Sequence, residues 1–512
     1  MITIRLLDRD LVKLHYVESA MKLQDILSEL NISHDMPCSG QHTCGKCKIK
    51  VKGQLSKLSD KERSLLTQEE LDNHIRLACF VDVLGDAEIT LSHNDLTVLS
   101  VKEPRESNYK NTGYGIAVDV GTTTIAMQLY DLATGQLLSE SVGINEQVAF
   151  GADVISRIQY TIENGNASVK EVLYNQLLIM ADKCMHESGV KKIDKWVVTG
   201  NTVMLHFYEG LETETISRAP FTPRSLFGRE SSIGLNGEKP YLPECIGSYI
   251  GADITCAILA SEIHKHSNKI ELLADLGTNG ELVLNNKGRL LCASTALGPA
   301  FEGANLTYGM RATKGAISKI RVEDNMLKME TVDNSEPKGI CGSGVLDAVR
   351  LMLEEEIMDE TGRLDEEYSG FGQVVSRHDG LAWQLPNTTI VVTQKDIRQV
   401  QLAKSAVFAG IKTLLKEADL QISDIEKFYV AGGFGYYMNV VSATIIGLFP
   451  QGLENKIELI GNGALSGAIS LLMNANEMKN ERAIISNSTE IHLSGKKTFS
   501  DYYIDGMLFG DE

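Results

Sequence analysis

Short runs of alternating apolar and polar residues fill the N-terminal part of the chain and predict β-strands there. The runs at 2–7, 12–17 and 48–51 each place apolar side chains on one face of an extended segment. Residues 22–30 differ, because their apolar positions recur with helical spacing and predict an amphipathic helix. A further apolar run at 76–81 predicts another strand. These elements together predict a small domain in which one helix packs on a sheet.

The larger part of the chain contains one strand–turn–strand pattern twice. Residues 115–127 form an apolar run, a turn rich in glycine and threonine, and a second apolar run, and residues 271–283 repeat this order 156 positions later. Each copy continues through a second turn into a third apolar run, at 137–138 and at 290–291. Internal repetition of this kind predicts a duplicated α/β domain with one hairpin in each half.

Four cysteines of the N-terminal domain have the spacing of an iron–sulfur site. Cys38, Cys44 and Cys47 lie within ten residues, and Cys79 stands far downstream. A [2Fe–2S] cluster needs four thiolates around two irons, and this spacing resembles that of plant-type ferredoxins. The gap of five residues after Cys38 is more similar to vertebrate-type and bacterial hydroxylase-type ferredoxins. The cysteines and the surrounding strands therefore indicate a β-grasp ferredoxin-like domain with these four residues as metal ligands.

A structural zinc site is the alternative interpretation of these cysteines. Zinc ribbons usually present two Cys-x-x-Cys pairs, whereas this chain has one, Cys44 to Cys47. Disulfide bonds are a second alternative, but the N-terminus carries charges where a signal peptide needs an unbroken apolar core. The other five cysteines lack paired spacing and are expected to be reduced residues of a cytoplasmic protein: Cys184, Cys245, Cys256, Cys292 and Cys341.

Length and charge limit the classes of partner. The 512 residues are enough for about two to four domains. Their formal net charge of −19 disfavours nucleic acid and anionic membrane surfaces as partners. No apolar run approaches the length of a membrane span, so we also expect no membrane insertion.

A polar segment with one proline and no periodicity, residues 93–112, predicts a linker. We expect the ferredoxin-like domain at 1–92, before this linker. The two subdomains of the duplicated region are expected at 113–268 and 269–475. Residues 476–512 are expected to form a C-terminal segment that packs on the duplicated domain.

The two repeated turns share an Asp-x-Gly-Thr sequence and resemble the paired phosphate loops of the ASKHA superfamily of actin, hexokinase and Hsp70. The residues concerned are Asp119, Gly121, Thr122 and Thr123 in the first turn and Asp275, Gly277, Thr278 and Asn279 in the second. A strand-end aspartate can hold Mg²⁺ through water, and the glycine lets backbone amides close on phosphate oxygens. One such turn is weak support, because tight hairpin turns commonly use these residues. Two of them predict an RNase H-like ASKHA ATPase domain with Asp119 and Asp275 as catalytic residues.

Two further glycine-rich segments are expected near the nucleotide. Residues 428–435 predict a strand that ends in a Gly-Gly-x-Gly turn, and such a segment lies against adenosine in ASKHA proteins. Residues 339–347 predict a glycine-rich entry to a helix, which can present amides near the nucleotide. The residues thus assigned to nucleotide binding are Gly342, Ser343, Gly432, Gly433 and Gly435. An ordinary glycine turn and tight helix packing are the alternatives for the two segments.

Residues 461–468 form a stretch of small residues after a predicted strand. The stretch is similar to a Rossmann fingerprint, but its third glycine is one position late and no strand ending in an acid follows at the expected distance. In an ASKHA protein such a helix crosses a second one at the hinge between the lobes, and residues 251–260 have suitably small side chains. We favour the hinge. The chain lacks the G-x-x-x-x-G-K-S/T sequence, which excludes a P-loop ATPase.

The order of these parts resembles the reductive activators of corrinoid-dependent enzymes, which include O-demethylase activating enzymes. The resemblance covers nearly the whole chain and extends to the segments 199–206, 218–223, 394–398 and 499–503. The chain is more compact than longer members, which insert a larger linker and middle domain. No cysteine follows Cys341, which excludes the branch with C-terminal [4Fe–4S] clusters.

The resemblance implies a repair reaction in methyltransferase or O-demethylase systems. Their corrinoid cycles through Co(I), which occasionally oxidises to inactive Co(II), and the activator returns it to Co(I). ATP binding or hydrolysis would supply the drive that a typical [2Fe–2S] ferredoxin lacks. The implied cofactors are a [2Fe–2S] cluster, ATP and Mg²⁺. The implied partners are a corrinoid protein and an upstream low-potential electron donor, and we also consider a homodimer through the ASKHA domain.

Three other functions are compatible with the motifs. A sugar or acid kinase with a fused ferredoxin would need a substrate pocket and a catalytic base, which the sequence does not reveal. An ATP-driven electron donor to another low-potential enzyme, such as a radical-type dehydratase, would share the chemistry but resembles a different domain arrangement. The third alternative is a redox-sensing module in which the nucleotide site is regulatory.

Overall fold

The computed structural model describes residues 1–8, 11–30, 42, 45, 47–90, 112–433 and 438–510. The chain divides into two compact units, one formed by Met1–Asp95 with Ile144–Leu173 and the other by Leu96–Gly143 with Tyr174–Glu512. No helix in the described ranges is long and apolar enough to cross a membrane.

Residues 1–90 of the first unit form a small mixed sheet and three short helices. In chain order these are β1 (Ile2–Asp8), β2 (Leu11–Val17), β3 (Met21–Lys22), α1 (Leu23–Glu29), β4 (Lys48–Leu55), α2 (Asp60–Ser64), α3 (Gln68–Asp72), β5 (Ile75–Leu77) and β6 (Asp82–Thr90). The strand order is β2–β1–β6–β4–β5, with β1 parallel to β6 and antiparallel to β2. Helix α1 buries Leu23, Ile26 and Leu27 completely in the core of this sheet. The predicted β-grasp ferredoxin-like domain is confirmed.

The strand predicted over 76–81 is shorter than expected. Strand β5 ends at Leu77, so Cys79 lies in the turn before β6 and not on a strand. The chain bends there because the Phe80 amide donates to the Leu77 carbonyl oxygen at 2.8 Å. The prediction that a strand carries Cys79 is wrong, because this turn interrupts the apolar run.

The short helix α2 begins after Ser59. The Ser59 side chain accepts a hydrogen bond from the Glu62 amide at 3.1 Å and caps α2. In the part of the chain that the structure describes, the buried Glu62 carboxylate does not bond to the helix N-terminus. It accepts hydrogen bonds from Arg76 Nε at 2.8 Å and from the Leu77 amide at 3.0 Å. This ion pair attaches α2 to the strand that precedes Cys79.

Residues 112–266 contain the first of the two large sheets. In chain order the elements are β7 (Tyr114–Val120), β8 (Thr124–Asp131), β9 (Leu137–Ile144), α4 (Val154–Asn164), α5 (Ala167–Ser188), β10 (Lys195–Gly200), α6 (Thr202–Glu209), α7 (Glu214–Ser217), β11 (Arg229–Glu230), β12 (Tyr241–Leu242) and α8 (Ala252–Ser261). The strand order is β11–β12–β10–β7–β8–β9. Helix α4 and the beginning of α5 belong to the first unit.

The remainder of the chain contains the second large sheet and two small inserted sheets. Its strands are β13 (Ile270–Leu276), β14 (Gly280–Asn286), β15 (Arg289–Thr295), β16 (Ala316–Glu323), β17 (Met326–Thr331), β18 (Gly339–Ile340), β19 (Ser369–Gly370), β20 (Gly372–Arg377), β21 (Gly380–Gln384), β22 (Val391–Thr393), β23 (Lys427–Ala431), β24 (Ile457–Gly461) and β25 (Ser488–Glu490). Its helices are α9 (Gly342–Glu354), α10 (Gln394–Glu417), α11 (Val440–Ile445), α12 (Gly463–Met473), α13 (Glu477–Asn487) and α14 (Lys497–Asp505). Short 3₁₀ helices occupy Glu146–Phe150, Ile263–Lys265, Ala300–Glu302, Val332–Asn334, Ile422–Asp424 and Glu454–Lys456.

The two large sheets share one topology, which is the structural form of the sequence repeat. Each has three antiparallel strands followed by two strands that add in parallel on the other side, in the orders β12–β10–β7–β8–β9 and β24–β23–β13–β14–β15. The burial patterns of β7 and β13 are also identical, with Asp119 and Asp275 as the less buried positions near each strand end. The predicted α/β fold with a duplicated RNase H-like ASKHA domain is confirmed.

One helix from each half crosses the other at very short range. Helices α8 and α12 follow the last parallel strands of their sheets and bury nearly all of their residues. A Cβ atom at Gly467 would lie 2.0 Å from the Cys256 carbonyl oxygen, so the crossing requires glycine there. The predicted pairing of these two helices is confirmed, and their role as a hinge stays a prediction.

The C-terminal segment packs on α10. The fully buried Lys404 donates from Nζ to the Gly506 carbonyl oxygen at 2.7 Å, and the Ser405 hydroxyl donates to the Tyr503 carbonyl. These contacts fix α14 and the residues after it to the second half of the duplicated domain.

Candidate functional site

The first repeated turn joins β7 to β8. The Gly121 amide donates to the Thr124 carbonyl oxygen at 3.0 Å and closes the turn. A Cβ atom at Gly121 would lie 2.6 Å from that same oxygen, so a larger residue would open the turn. Asp119 lies near the end of β7, just before the turn, while Thr122 and Thr123 form its tip.

The second repeated turn joins β13 to β14 in the same way. The Gly277 amide donates to the Asn279 carbonyl oxygen at 3.0 Å, and Asp275 occupies the position that Asp119 has in the first half. The Thr278 carbonyl accepts from the Gly298 amide at 3.0 Å, which holds the tip of the turn.

The tertiary structure brings the two turns together. The hydroxyl oxygens of Thr123 and Thr278 lie 3.0 Å apart and share a hydrogen bond, although the residues are 155 positions apart in the chain. Thr278 also donates to the Glu302 carboxylate at 2.8 Å. The tips of the two turns therefore meet through their threonine hydroxyls, and the binding of phosphates by these turns stays a prediction.

Two asparagines that the sequence analysis did not single out anchor the first turn. Asn462 Nδ2 donates to the Asp119 carboxylate at 2.9 Å, and Asn201 Nδ2 donates to the Thr122 hydroxyl at 3.1 Å. Both are also N-caps, since their side-chain oxygens accept from the backbone of α12 and α6. A strand followed by an asparagine and a helix is the sequence signal that identifies such positions.

Two further acidic side chains lie near the aspartates of the turns. Burial raises the pKa of Asp119 to about 6, against the opposing effect of the Asn462 amide. Burial, followed by the charge of Asp119, raises the pKa of Asp275 to about 7. For Asp253 in the first turn of α8, burial and the charges of Asp119 and Asp275 raise the pKa to about 8. Burial and the same kind of repulsion raise the pKa of Glu281 well above its usual range.

This concentration of buried acidic groups fits a site for a divalent cation with phosphates. A cation offsets the repulsion between Asp119, Asp253 and Asp275 and favours their ionised forms. Within the described ranges, no three acidic, histidine or cysteine side chains are grouped so that they could hold one ion directly. The arrangement is thus compatible with Mg²⁺, which usually keeps several waters and binds one or two carboxylates plus phosphate oxygens.

The glycine turn after β23 lies directly against the second phosphate turn. Gly432 has a left-handed backbone with φ of 98°, and a Cβ atom there would lie 2.4 Å from the Leu276 carbonyl oxygen and 2.8 Å from Asp275 Oδ1. This contact alone requires glycine at that position. Gly433 is exposed beside it, and Gly435 lies outside the described residues. Contact of these glycines with adenosine stays a prediction.

The glycine-rich entry to α9 is buried. The Ser343 hydroxyl donates to the Ser318 carbonyl oxygen at 3.0 Å, and Gly342 lies beside it in the first turn of the helix. A Cβ atom at Gly344 would lie 2.2 Å from the Ile317 carbonyl oxygen, so close packing against β16 explains that glycine. The assignment of Gly342 and Ser343 to nucleotide binding stays a prediction.

The described part of the cysteine site brings two thiols together. Cys47 and Cys79 are buried, and their sulfur atoms lie 3.3 Å apart. A disulfide bond would need about 2.05 Å, whereas a tetrahedral metal bound at about 2.3 Å from each thiolate separates two sulfurs by about 3.8 Å. The pair therefore fits two ligands of one metal atom. Cys38 and Cys44 lie outside the described residues.

The backbone around this thiol pair fixes its geometry. The Ala78 amide donates to the Cys47 carbonyl oxygen at 2.8 Å, which joins the start of β4 to the turn that carries Cys79. The His42 ring stacks on Phe80 with 4.2 Å between centroids and places Nε2 2.8 Å from the Cys79 carbonyl oxygen. Gly45 has a left-handed φ of 64°, a backbone conformation that glycine adopts more readily than other residues.

Comparison with known proteins covers the chain in three parts. Residues 8–83 match the 2Fe–2S iron–sulfur cluster binding domain, 114–266 match the RACo middle region, and 269–512 match the C-terminal domain of RACo, described as the ASKHA domain. The corrinoid activation enzyme RamQ of Eubacterium limosum is 34% identical over 426 residues, which span 78% of this chain and 70% of that enzyme. This chain belongs to the family of reductive activators of corrinoid proteins.

Other members of the corrinoid activator family agree with this assignment. The Co(II) methylated amine-specific corrinoid protein reductase of Methanosarcina barkeri is 25% identical over 431 residues. The match spans 76% of this chain and 76% of that reductase. The solved structure of a reductive activator for corrinoid, iron–sulfur protein superposes with a TM-score of 0.72 at 27% identity, and covers 99% of this chain and 98% of its own. The order of domains in the corrinoid activators is thus the order found in this chain.

Proposed function

We propose that this protein reduces the Co(II) corrinoid of a partner protein to Co(I) in a reaction driven by ATP. The [2Fe–2S] cluster supplies one electron for each Co(II), and no atoms are transferred to the cobalt. The reaction serves methyltransferase or O-demethylase systems whose corrinoid has been oxidised out of its catalytic cycle. Family membership supports the corrinoid protein as substrate, since both relatives are named for corrinoid proteins.

The hydrogen bond between Thr123 and Thr278 is the observation that best supports dependence of the reaction on ATP. It joins two glycine-containing turns from the two halves, and each turn follows a strand that carries an aspartate near its end, Asp119 or Asp275. Amides and hydroxyls that converge from two sides can bracket a triphosphate, while a single turn could bind it from one side only. A nucleotide held between the halves can favour one arrangement of the halves over another and so drive a conformational change.

The proposal assigns a role to each of the predicted site residues. Asp119 and Asp275 act as the catalytic residues and hold Mg²⁺ through water. The residues that bind phosphates are Gly121, Thr122, Thr123, Gly277, Thr278 and Asn279. Gly432, Gly433 and Gly435 lie against adenosine, and Gly342 and Ser343 are near the nucleotide. The cluster ligands are Cys38, Cys44, Cys47 and Cys79.

The proposal also covers the domain bounds and the setting of the reaction. We place the ferredoxin-like domain at 1–92, the linker at 93–112, the two ASKHA subdomains at 113–268 and 269–475, and the C-terminal segment at 476–512. An upstream low-potential donor reduces the cluster in the cytoplasm, and a homodimer through the ASKHA domain is compatible with the reaction.

Two substitutions separate the cluster from the nucleotide site. Cys79→Ser is expected to destroy the ordinary [2Fe–2S] absorption and electron paramagnetic resonance signals while ATP binding is retained. Asp275→Ala is expected to leave those signals intact and to lower ATP-dependent Co(II) reduction about 100-fold or more, because the site loses a charge placed for the cation and phosphates. Cys184→Ser and the exposed Asp182→Ala are the matched controls and are expected to behave as wild type.

The measurement is the anaerobic appearance of Co(I) absorbance, with a purified Co(II) corrinoid protein and with or without ATP. An unchanged reduced spectrum in Cys79→Ser would contradict the ligand assignment. A wild-type rate in Asp275→Ala would contradict the nucleotide site. ATP hydrolysis stimulated by the Co(II) corrinoid protein distinguishes this function from that of a kinase, a donor to another enzyme or a nucleotide-regulated sensor.

A further inference from the structure

The strand that follows the cluster ligand Cys47 carries a row of lysines on one face. In β4 the side chains alternate, so that Ile49 and Val51 are buried while Lys48, Lys50 and Lys52 are exposed. At about 3.3 Å per residue, Lys50 and Lys52 lie about 10 and 16 Å along the strand from Cys47. The row therefore begins one residue after Cys47 in the chain, on the face of the strand opposite to the buried thiol pair.

Two of these lysines retain uncompensated charge. Lys48 binds Glu70 at 2.6 Å, and across the sheet Arg5 binds Glu88 at 3.5 Å. Among the described residues, neither Lys50 nor Lys52 forms an ion pair. Lys50 lies opposite Thr90, and Lys52 lies opposite Glu88, whose charge Arg5 offsets, so the row keeps a local positive potential that acts on approaching molecules.

The same face of the sheet continues into an exposed apolar edge. Leu14, Arg5, Glu88 and Lys52 lie opposite one another on β2, β1, β6 and β4 and therefore form one row across four strands. Leu14 is 56% exposed and Tyr16, two positions along the same edge strand, is 52% exposed. Exposed apolar and aromatic side chains beside charged ones are typical of surfaces that bind proteins.

The charge of this part of the chain differs from that of the remainder. Residues 1–92 contain 12 lysines and arginines and 14 aspartates and glutamates, a net charge of −2, whereas the whole chain has −19. A strongly acidic partner is repelled by a protein of that charge except where basic residues face it. The outer face of the sheet, defined by Leu14, Tyr16, Lys50 and Lys52 and called the lysine face below, is such a place.

We propose that the lysine face is the docking surface for an acidic redox protein that delivers electrons to the cluster. The inference rests on the proposed function, because it assigns a partner to the cluster of the activator. Charge complementarity attracts the partner to Lys50 and Lys52, and Leu14 and Tyr16 supply apolar contact once it has docked. The position of the row beside Cys47 brings the partner near the cluster, while the acidity of the remaining chain discourages other orientations.

The test measures reduction of the cluster alone, without a corrinoid protein. The probe is a reduced, strongly acidic bacterial ferredoxin, and cluster bleaching is followed by stopped flow as a function of probe concentration and salt. For wild type we expect a rate that rises with probe concentration and falls steeply with ionic strength. The variant Lys50→Glu/Lys52→Glu is expected to react about tenfold or more slowly at low salt and to approach the wild-type rate at high salt.

Matched controls separate docking from damage. Lys22→Glu/Lys57→Glu makes the same change in net charge at the opposite end of β4, where Leu55 pairs with Val83 and Lys22 with Asp82. It is expected to react nearly as fast as wild type. Lys50→Gln/Lys52→Gln places no new charge opposite Glu88 and is expected to show a smaller loss of the same kind. The small reductant methyl viologen radical needs no docking surface and is expected to reduce all variants at comparable rates.

Each outcome decides the proposal. A selective loss with the acidic probe supports it, and a parallel loss of probe binding in calorimetry at low salt supports it further. Equal rates for both double glutamate variants would overturn it. A wild-type rate that does not depend on probe concentration would also overturn it, since docking of the probe would then not limit reduction of the cluster. Failure of the wild type to activate a corrinoid protein would overturn the proposed function but would leave this test of the lysine face intact.

Discussion

The two halves of the duplicated domain have the same fold but different chemistry at equivalent positions. Both sheets place an aspartate near the end of the central strand and a glycine in the following turn. Asp119 in the first half accepts a hydrogen bond from Asn462, the N-cap of α12, which belongs to the second half. The equivalent helix of the first half, α8, has Gly251 as its N-cap and carries Asp253, whose charge repels Asp275.

This asymmetry makes the two aspartates unequal. The amide of Asn462 favours the ionised form of Asp119, whose pKa is about 6. In the described part of the chain no hydrogen bond reaches the Asp275 carboxylate, and its pKa of about 7 is raised by burial and by Asp119. A duplicated fold can therefore give its two aspartates different surroundings, in which Asp275 holds its proton more readily than Asp119.

The helix crossing gives the largest expected effect. Gly467 of α12 and Cys256 of α8 are each the fifth residue of their helix, and of the two only Gly467 lacks a side chain. Gly467→Ala places a Cβ atom 2.0 Å from the Cys256 carbonyl oxygen, so we expect a loss of about 3 kcal/mol of stability or failure to fold. The denaturation midpoint followed by circular dichroism measures it.

Gly463→Ala in the same helix is the matched control. Its Cβ atom would lie 3.1 Å from Ala257 Cβ and 3.2 Å from Ala431 Cβ, contacts that small shifts can relieve. Equal stability of the two variants would show that the crossing is not as close as the structure indicates.

Exchanging the amide at the first aspartate is expected to have the next largest effect. Asn462→Asp keeps an N-cap acceptor for α12 but replaces the donor to Asp119 with a carboxylate, as at the second aspartate. We expect ATP affinity at neutral pH to fall about tenfold. Repulsion between two adjacent carboxylates raises the pKa of Asp119, and a protonated Asp119 holds the cation of Mg·ATP less well. Calorimetric titration with Mg·ATP measures the affinity.

Asn201→Asp serves as the control for that exchange. It also keeps its cap, and although Asn201 donates to the Thr122 hydroxyl, that hydroxyl can rotate to donate to the new carboxylate, so a loss of affinity below threefold is expected. If both variants lost affinity equally, the asymmetry between the halves would not arise from Asn462.

The smallest expected effect is on the pH dependence of stability. A carboxyl group whose pKa is raised on folding stabilises the folded state fully below its unfolded pKa, and this stability is lost as pH rises through the folded pKa. With folded values of about 6, 7 and 8 for Asp119, Asp275 and Asp253, against about 3.9 for an unfolded aspartate, the melting temperature without nucleotide should fall from about pH 4 to pH 8. Asp253→Asn should flatten the upper part of that slope.

Thermal melting at several pH values, with and without Mg·ATP, checks this prediction. Mg·ATP should reduce the slope, because a cation favours the ionised groups. The exposed Asp501→Asn should retain the full slope. A melting temperature that rises between pH 6 and 8 would contradict the assignment of these three groups.

Much of the fold followed from local sequence, and the exceptions have physical causes. The alternation of apolar residues indicated β1, β2 and β4, because period-two burial is a local property of a strand. Continuous apolar runs on both sides of a turn indicated the two repeated hairpins. The strand expected over 76–81 was wrong because a single turn after Leu77 interrupts an apolar run without any glycine or proline to mark it. The contribution of Asn462 to Asp119 could not be read from the sequence, since the two residues are 343 positions apart.

The sequence by itself determined the parts that the site needs. It specified four cysteines with ferredoxin spacing, two Asp-x-Gly-Thr turns and two helices of small residues, since each of these depends on neighbouring residues in the chain. The tertiary structure alone decided that the turns meet through Thr123 and Thr278 and that Asp253 lies near both aspartates. Such contacts depend on how two sheets and a helix crossing pack together, and burial then sets the charge of each carboxylate.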